Sequence, residues 1–308
     1  MDAVAVILEA PERLALRTLA LSPMAAGDVR VEIDWSGISS GTEKLLWTGR
    51  MPNFPGMGYP LVPGYESIGR VVDAGADARG RIGQWVFVPG ADCFRDARGL
   101  FGGTARHVNL PQARAIPIRE SLGRDGILLA LAATAHHAIA AGGIPELVIG
   151  HGILGRLIAR IAVATSGDAP LVWETNPARR DGFGYAVVDP SADECRDYRA
   201  ICDASGAVDV LDTAFARLAK GGEVVLAGFY DRLSFAFPPA FMREARIRIA
   251  AEFTPADIAA VVGLLDIGLL ELGGLISHAR PATEAGDAYP QAFTDPDCLK
   301  MVLDWRTI

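Results

Sequence analysis

The chain has 308 residues, of which half are hydrophobic and 21% charged, and a formal net charge of −8. That length supports two domains with cores of their own, while the negative balance and the lack of a Lys/Arg cluster that could track a phosphate backbone argue against a nucleic-acid partner. No uncharged apolar run approaches the roughly 20 residues needed to span a bilayer. The first ten residues carry Asp2 and Glu9 with no basic leader or cleavage site, so the expected location is cytoplasmic. Cys93, Cys195, Cys202 and Cys298 are scattered and form no C-x-x-C, so reduced thiols are expected.

Residues 1–117 read as β-rich. Alternation of apolar and polar residues runs through 3–8 and 28–34, and further short strands are expected around 66–72 and 84–88. Residues 49–64 are dense in Gly and Pro and read as loop. Strands this short, with this punctuation, predict a partly open barrel. The stretch from Trp47 to Tyr59, which overlaps this loop, carries Trp47, Met51, Phe54, Met57 and Tyr59. Such side chains either fold onto the barrel or form an apolar shelf for a flat ring substrate.

From Ser121 the pattern turns helical, with Leu128, Leu129, Leu131, Ala132, His136 and Ile139 at helical spacing up to Gly142-Gly143. His136 and His137 adjoin, so they leave the helix about 100° apart and cannot both face one metal. One is expected in the core and the other, His136, beside a substrate.

Residues 147–174 organise the second half. The apolar run Leu147-Val148-Ile149 enters Gly150, Gly152 and Gly155, spaced G-x-G-x-x-G. An apolar-periodic segment opens with Ile153 and Leu154, and a short strand 171–173 ends on Glu174. This is the order of a βαβ dinucleotide site. Gly150 permits the tight turn, Gly152 admits a pyrophosphate to the backbone, Gly155 lets helix and strand pack closely, and the helix N-terminus attracts phosphate. Glu174 stands where a carboxylate accepts from the adenine-ribose hydroxyls, which favours NAD over NADP. Arg179-Arg180, just beyond, is the competing signal, since that pair could hold a 2′-phosphate. His151, inside the turn, is expected to face cofactor or solvent.

Later strands are expected at 200–206, 223–229 and 247–253, with helices at 208–218, closed by Gly221-Gly222, and at 255–269. The tail, 276–305, has room to return to the first domain. The fold class is therefore α/β: a doubly wound parallel sheet of Rossmann type over 121–271, and a β-rich domain over 1–120 completed by 272–308.

These residues resemble a known family. Gly41-Thr42-Glu43 is similar to a GTD/GTE segment, Pro63-Gly64-Tyr65-Glu66 stands where zinc members carry GHE, and Thr134-Ala135-His136-His137-Ala138 resembles a TAYHA helix. Asp203-Ala204-Ser205-Gly206 resembles a D-x-S-G strand end. Together with the order of domains, they resemble the medium-chain dehydrogenases/reductases over nearly the whole chain. The resemblance implies a GroES-like first domain and adds Thr134, Asp203, Ser205 and Gly228 to the cofactor site. The long segment from Ser36 to Glu66 further resembles a branch that oxidises a secondary alcohol on a Mg-containing chlorophyllide or bacteriochlorophyllide. Family members also pair the edge near 247–253 across a two-fold, so a homodimer is expected.

The departures bear on mechanism. Where zinc members place ligands, this chain has Ser40 (or Ser39, one register away), Tyr65 and, near the third position, Ala130. Zinc wants Cys, His or carboxylate ligands, so no catalytic metal is expected. A hydroxyl or carboxylate must then take the alcohol proton. Tyr65 is the sharpest candidate, with Lys44 lowering its pKa if near, Thr42 as relay and Glu66 as a supporting carboxylate. Two readings compete: a zinc-independent quinone or enone reductase using NADPH, and a non-catalytic NAD-gated pigment-binding protein.

Overall fold

The structure, a computed structural model, describes residues 1–99, 101–230 and 232–308. The chain opens with a hairpin of β1 (Asp2–Ala10) and β2 (Arg13–Ala20), antiparallel throughout. The long strand β3 (Asp28–Ile38) leads into the one-and-a-half-turn helix α1 (Thr42–Trp47). Then follow β4 (Ser67–Ala74), β5 (Trp85–Val88), β6 (His107–Pro111) and β7 (Ile116–Pro117). Helix α2 (Leu129–Ala140) precedes the βαβ unit of β8 (Leu147–Ile149), α3 (Ile153–Ser166) and β9 (Leu171–Trp173). The order continues with β10 (Val187–Val188), β11 (Tyr198–Asp203), α4 (Val210–Arg217), β12 (Leu218–Leu226), α5 (Phe237–Arg243), β13 (Arg246–Ile249) and α6 (Pro255–Asp266). The tail holds β14 (His278–Pro281), α7 (Ala285–Thr294) and β15 (Met301–Asp304).

Two compact units result, residues 1–130 with 272–308, and residues 131–271. In the first, seven strands run in the order β14-β15-β3-β4-β5-β7, and β6 adds to β3. The tail enters this sheet because β15 pairs antiparallel with β3, Met301 opposite Ile38. Its apolar side chains join a core that includes Val29, Val31, Ile33, Val71, Tyr289 and Trp305. The Trp305 indole donates to the buried Ser36 hydroxyl at 2.9 Å, so the join is polar as well as apolar.

In the second unit six parallel strands run β10-β9-β8-β11-β12-β13. Counted from β8 this is 3-2-1-4-5-6, the doubly wound order in which a dinucleotide binds outside the carboxyl ends of β8 and β11, where the winding reverses. The central strands are buried on both faces, as parallel strands covered by helices are; Leu147, Val148, Ile201 and Val224 are fully enclosed.

Among the element boundaries that differ from expectation, two turn on glycine. Gly221-Gly222 does not close α4, which already ends at Arg217. The pair lies inside β12, where Gly221 takes φ +75° and the register with β11 slips between Tyr198–Leu218 and Ala200–Glu223. Glycine absorbs an irregularity there that a β-branched residue would resist. Helix α6 stops at Asp266 rather than 269, ahead of Gly268 at φ +73°. Its start is secured by a capping box between Thr254 and Asp257, with Pro255 in the first turn.

Candidate active site

The glycine turn is built as its spacing predicts. Gly150 follows β8 at φ +94°, and Gly152 caps α3. A Cβ on Gly155 would overlap the Gly150 carbonyl, and one on Gly150 would come within 2.8 Å of the Ser205 Cα. Above Gly152 the space is open, so phosphate can approach the backbone there. Glu174 accepts from the His151 amide (3.1 Å) and the Asn176 amide (2.8 Å), one on each carboxylate oxygen. Each oxygen keeps a lone pair for a ribose hydroxyl. Ile153 and Leu154 open α3 half-buried. Arg180 is turned back on its own segment, to the carbonyls of Glu174 and Thr175 (both 2.8 Å) and to Asp189 (2.5 Å).

Asp203, fully buried at the end of β11, accepts from the Ser205 amide (2.9 Å) and hydroxyl (2.6 Å) and from the Tyr230 hydroxyl. Burial raises its carboxyl above the usual range even with these donors. The Asp203 carbonyl also accepts from the Gly228 amide at 3.2 Å. These three residues thus shape the turn beside Gly150, and Thr134 is half-exposed on α2.

His136 and His137 do not divide between core and cleft. Both are half-buried, and their Nδ1 atoms meet the two oxygens of Asp257 at 2.8 and 2.9 Å. Adjacent side chains diverge on a helix, but a carboxylate is wide enough to receive one on each oxygen. Asp257 is held well below the usual carboxylate range by the Thr254 amide and hydroxyl and by the two imidazoles, which overcome its burial. His151 faces neither solvent nor open space: it is wholly buried.

In the first unit, β3 and the loop before β4 bring hydroxyls together. The Tyr65 hydroxyl donates to Ser39 Oγ at 2.8 Å and lies 3.4 Å from Thr42 Oγ1. Of the two register choices it is the buried Ser39 that meets Tyr65, while Ser40 is exposed. The Tyr65 ring packs on Phe101, 5.2 Å between centroids, and Phe101 holds φ +69°, a strained value for a non-glycine residue. Lys44 does not act on Tyr65. Its ammonium is exposed and donates to the Phe293 carbonyl at 3.1 Å, because α1 turns that residue outward. The Tyr65 phenol is pushed up, not down, by burial and by the charge of Glu66.

Beneath this network lies a buried polar layer. Glu66 is fully enclosed and ion-paired with Lys300, which is 3% exposed and directly precedes β15. Glu43 is equally enclosed. Neither of its oxygens, nor the Thr104 or Tyr289 hydroxyl, completes a well-formed hydrogen bond, although Tyr289 lies near enough to favour the charged form. Burial still dominates and pushes the Glu43 carboxyl up to about 8. Lys300, Tyr289 and Phe101 were not legible as site residues in the sequence. A lysine next to the apolar run Met301-Val302-Leu303 was the one available signal.

Of the loop aromatics and thioethers, Trp47, Met51, Met57 and Tyr59 pack on a small cluster of Leu8, Leu46 and Leu61. The Tyr59 hydroxyl donates to the Leu46 carbonyl, and Trp47 lies 6.4 Å from both Tyr289 and Phe293. Phe54 stays outward, 38% exposed. No three His, Cys, Asp or Glu side chains converge as metal ligands among the described residues. Ala130, at the third expected ligand position, is buried and apolar.

The chain is similar to known proteins. The alcohol dehydrogenase GroES-like domain matches residues 25–120. Over 99% of both chains the sequence is 54% identical to a 2-desacetyl-2-hydroxyethyl bacteriochlorophyllide A dehydrogenase of Rhodobacter capsulatus, and 55% identical to one of Cereibacter sphaeroides. A short chain alcohol dehydrogenase from E. coli CFT073, solved with NADH, has the same fold at a TM-score of 0.85 and 20% identity, with 99% of each chain covered. A dehydrogenase from Sinorhizobium meliloti 1021, bound to NADP, superposes at 0.83 with 21% identity, over 99% of this chain and all of the other. Helices long and apolar enough to cross a membrane are absent among the described residues. With that identity over the full length, the chain belongs to the 2-desacetyl-2-hydroxyethyl bacteriochlorophyllide A dehydrogenases, within the medium-chain dehydrogenase/reductase superfamily.

Proposed function

We propose that this alcohol dehydrogenase-type oxidoreductase oxidises the 3-(1-hydroxyethyl) secondary alcohol of a chlorophyllide or bacteriochlorophyllide to the 3-acetyl group, with NAD and without zinc. The observation that carries the reading is one chain that combines a dinucleotide turn ending on Glu174 with a hydroxyl pair, Tyr65 and Ser39, at positions where zinc members have ligands. The tetrapyrrole comes from the name that the relatives bear.

The open backbone at Gly152 and the N-terminus of α3 suit a pyrophosphate, and Glu174 suits unphosphorylated ribose hydroxyls. Bound NAD would supply the hydride acceptor. The protein's own task is the hydroxyl proton of the substrate. As the carbinol carbon becomes a carbonyl and its hydride goes to the nicotinamide, its O–H proton passes along the hydroxyls of Tyr65, Ser39 and Thr42 and is released to bulk water. Ser, Tyr and Ala in place of metal ligands support a proton route through hydroxyls. We read the unpaired edge of β13, with Ile247, Ile249 and the nearby Phe237, Phe241 and Met242 exposed, as the contact of a homodimer.

The test is turnover of hydroxyethyl chlorophyllide and hydroxyethyl bacteriochlorophyllide with NAD and NADP side by side, followed by pigment absorbance. Oxidation should shift the long-wavelength band when NAD is added. Pigment binding with no shift under either cofactor would favour a non-catalytic carrier. Reduction of enones with NADPH, and no alcohol oxidation, would favour the reductase.

A further inference from the structure

His151, between the first two glycines of the turn, is the buried hub of the adenosine side of the nucleotide site. Its Nδ1 lies 2.5 Å from the Arg179 carbonyl, and its Nε2 lies 2.9 Å from the Tyr185 hydroxyl. A carbonyl only accepts, so Nδ1 carries the hydrogen and the neutral ring accepts from Tyr185 at Nε2. The two rings meet edge to face, 5.5 Å apart. The main chain of His151 is held too. Its amide donates to Glu174 at 3.1 Å, and its carbonyl accepts from Arg156 Nε at 3.2 Å. Arg156, buried on α3, also reaches the Arg179 carbonyl (3.3 Å) and Asp181 (2.6 Å).

One imidazole therefore ties the glycine turn to the segment 179–185 that follows β9. That segment begins with Arg179 and Arg180, the pair that would welcome a 2′-phosphate. The same residue's amide fixes the carboxylate that would reject one. We propose that His151 is a positioning and specificity-determining residue for the dinucleotide: it holds segment 179–185 so that Glu174 meets ribose hydroxyls and the arginine pair is kept from closing on a 2′-phosphate. This rests on the nucleotide-site reading above.

The experiment measures Kd for NAD and for NADP by calorimetry, and KM and kcat with NAD, on the full chain and three variants. His151→Leu fills the space and removes both ring bonds. It should weaken NAD by about tenfold, falling on KM more than on kcat, and narrow the NAD-to-NADP ratio by a similar factor. His151→Asn can still donate to the Arg179 carbonyl and should recover most of the loss. Tyr185→Phe removes a single hydroxyl and should move the ratio the same way by a smaller step. A folded His151→Leu protein with wild-type Kd values for both cofactors overturns the proposal. If that variant does not fold, wild-type affinities for both cofactors in Tyr185→Phe overturn it. A wild-type chain that binds neither dinucleotide strikes the nucleotide-site reading itself.

Discussion

Burial and the neighbouring Glu66 charge keep the Tyr65 phenol protonated through the pH range of an enzyme assay. The hydroxyl can hand a proton along, but it cannot wait as a tyrosinate. Its bond to Ser39 gives the handover a direction. Tyr65→Phe keeps the ring against Phe101 and deletes the hydroxyl, so turnover should fall by roughly 10²–10⁴ while pigment binding changes little. A near wild-type rate in that variant would remove Tyr65 from the mechanism. Thr42→Val should combine less than additively with it if both hydroxyls serve one route. Glu43 makes a prediction about stability instead. Its carboxyl is raised from 4.5 to about 8 in the fold, so between those values the native state holds a proton that the unfolded state has lost. Unfolding then releases a proton, and the stability contribution, complete below pH 4.5, is lost as pH rises through about 8, by up to about 5 kcal/mol. Glu43→Gln should flatten that leg of the curve, which denaturant melts at pH 5, 6.5 and 8.5 would show. An unchanged slope would mean that another group carries it.

Among the elements, β8, α3 and β9 were legible because their signals are local. An apolar run, three glycines and a helical period lie within thirty positions, and the turn needs those glycines for steric reasons present in any such unit. The hand-off from α4 to β12 was not legible, since Gly221-Gly222 serves a slip in strand register that exists only once β11 lies alongside. The edge strand β13 leaves one row of backbone groups unpaired, with Ile249 76% and Ile247 41% exposed. Sedimentation of the wild-type chain should give a dimer. Ile249→Glu, which puts like charges face to face across a two-fold and leaves the unit's core alone, should shift it to monomer. A wild-type monomer at micromolar concentration, or a dimer indifferent to the substitution, would reject β13 as the contact.

For the whole molecule the sharpest forecast concerns metal. Elemental analysis of purified protein should find well under one zinc per chain, and a chelator should leave turnover intact. The donor chemistry supports this, since Ser39, Tyr65 and Ala130 stand where a tetrahedral site would need soft or anionic ligands. Stoichiometric zinc, or activity lost to chelator and restored by zinc, would reject this account of the site.

The fold class and the place of the dinucleotide turn were determined by the sequence alone, because periodicity, glycine spacing and strand length act between near neighbours. The residue types Ser39, Ser40, Tyr65 and Ala130, on which the proposed zinc-free reading rests, were legible there too, since they need only the sequence. Tertiary structure alone decided that Ser39 and not Ser40 meets Tyr65, that Lys44 faces away, and that His136 and His137 share Asp257. It also decided that Glu66 is ion-paired with Lys300, 234 positions away, and that His151 is enclosed. Each depends on which side chain of a turn or helix points inward, and on a partner brought from a distant strand. Burial favours those pairings, since an enclosed carboxylate or imidazole either finds a partner or, as at Glu43, holds its proton at a cost, but only the packed chain determines which partner it finds.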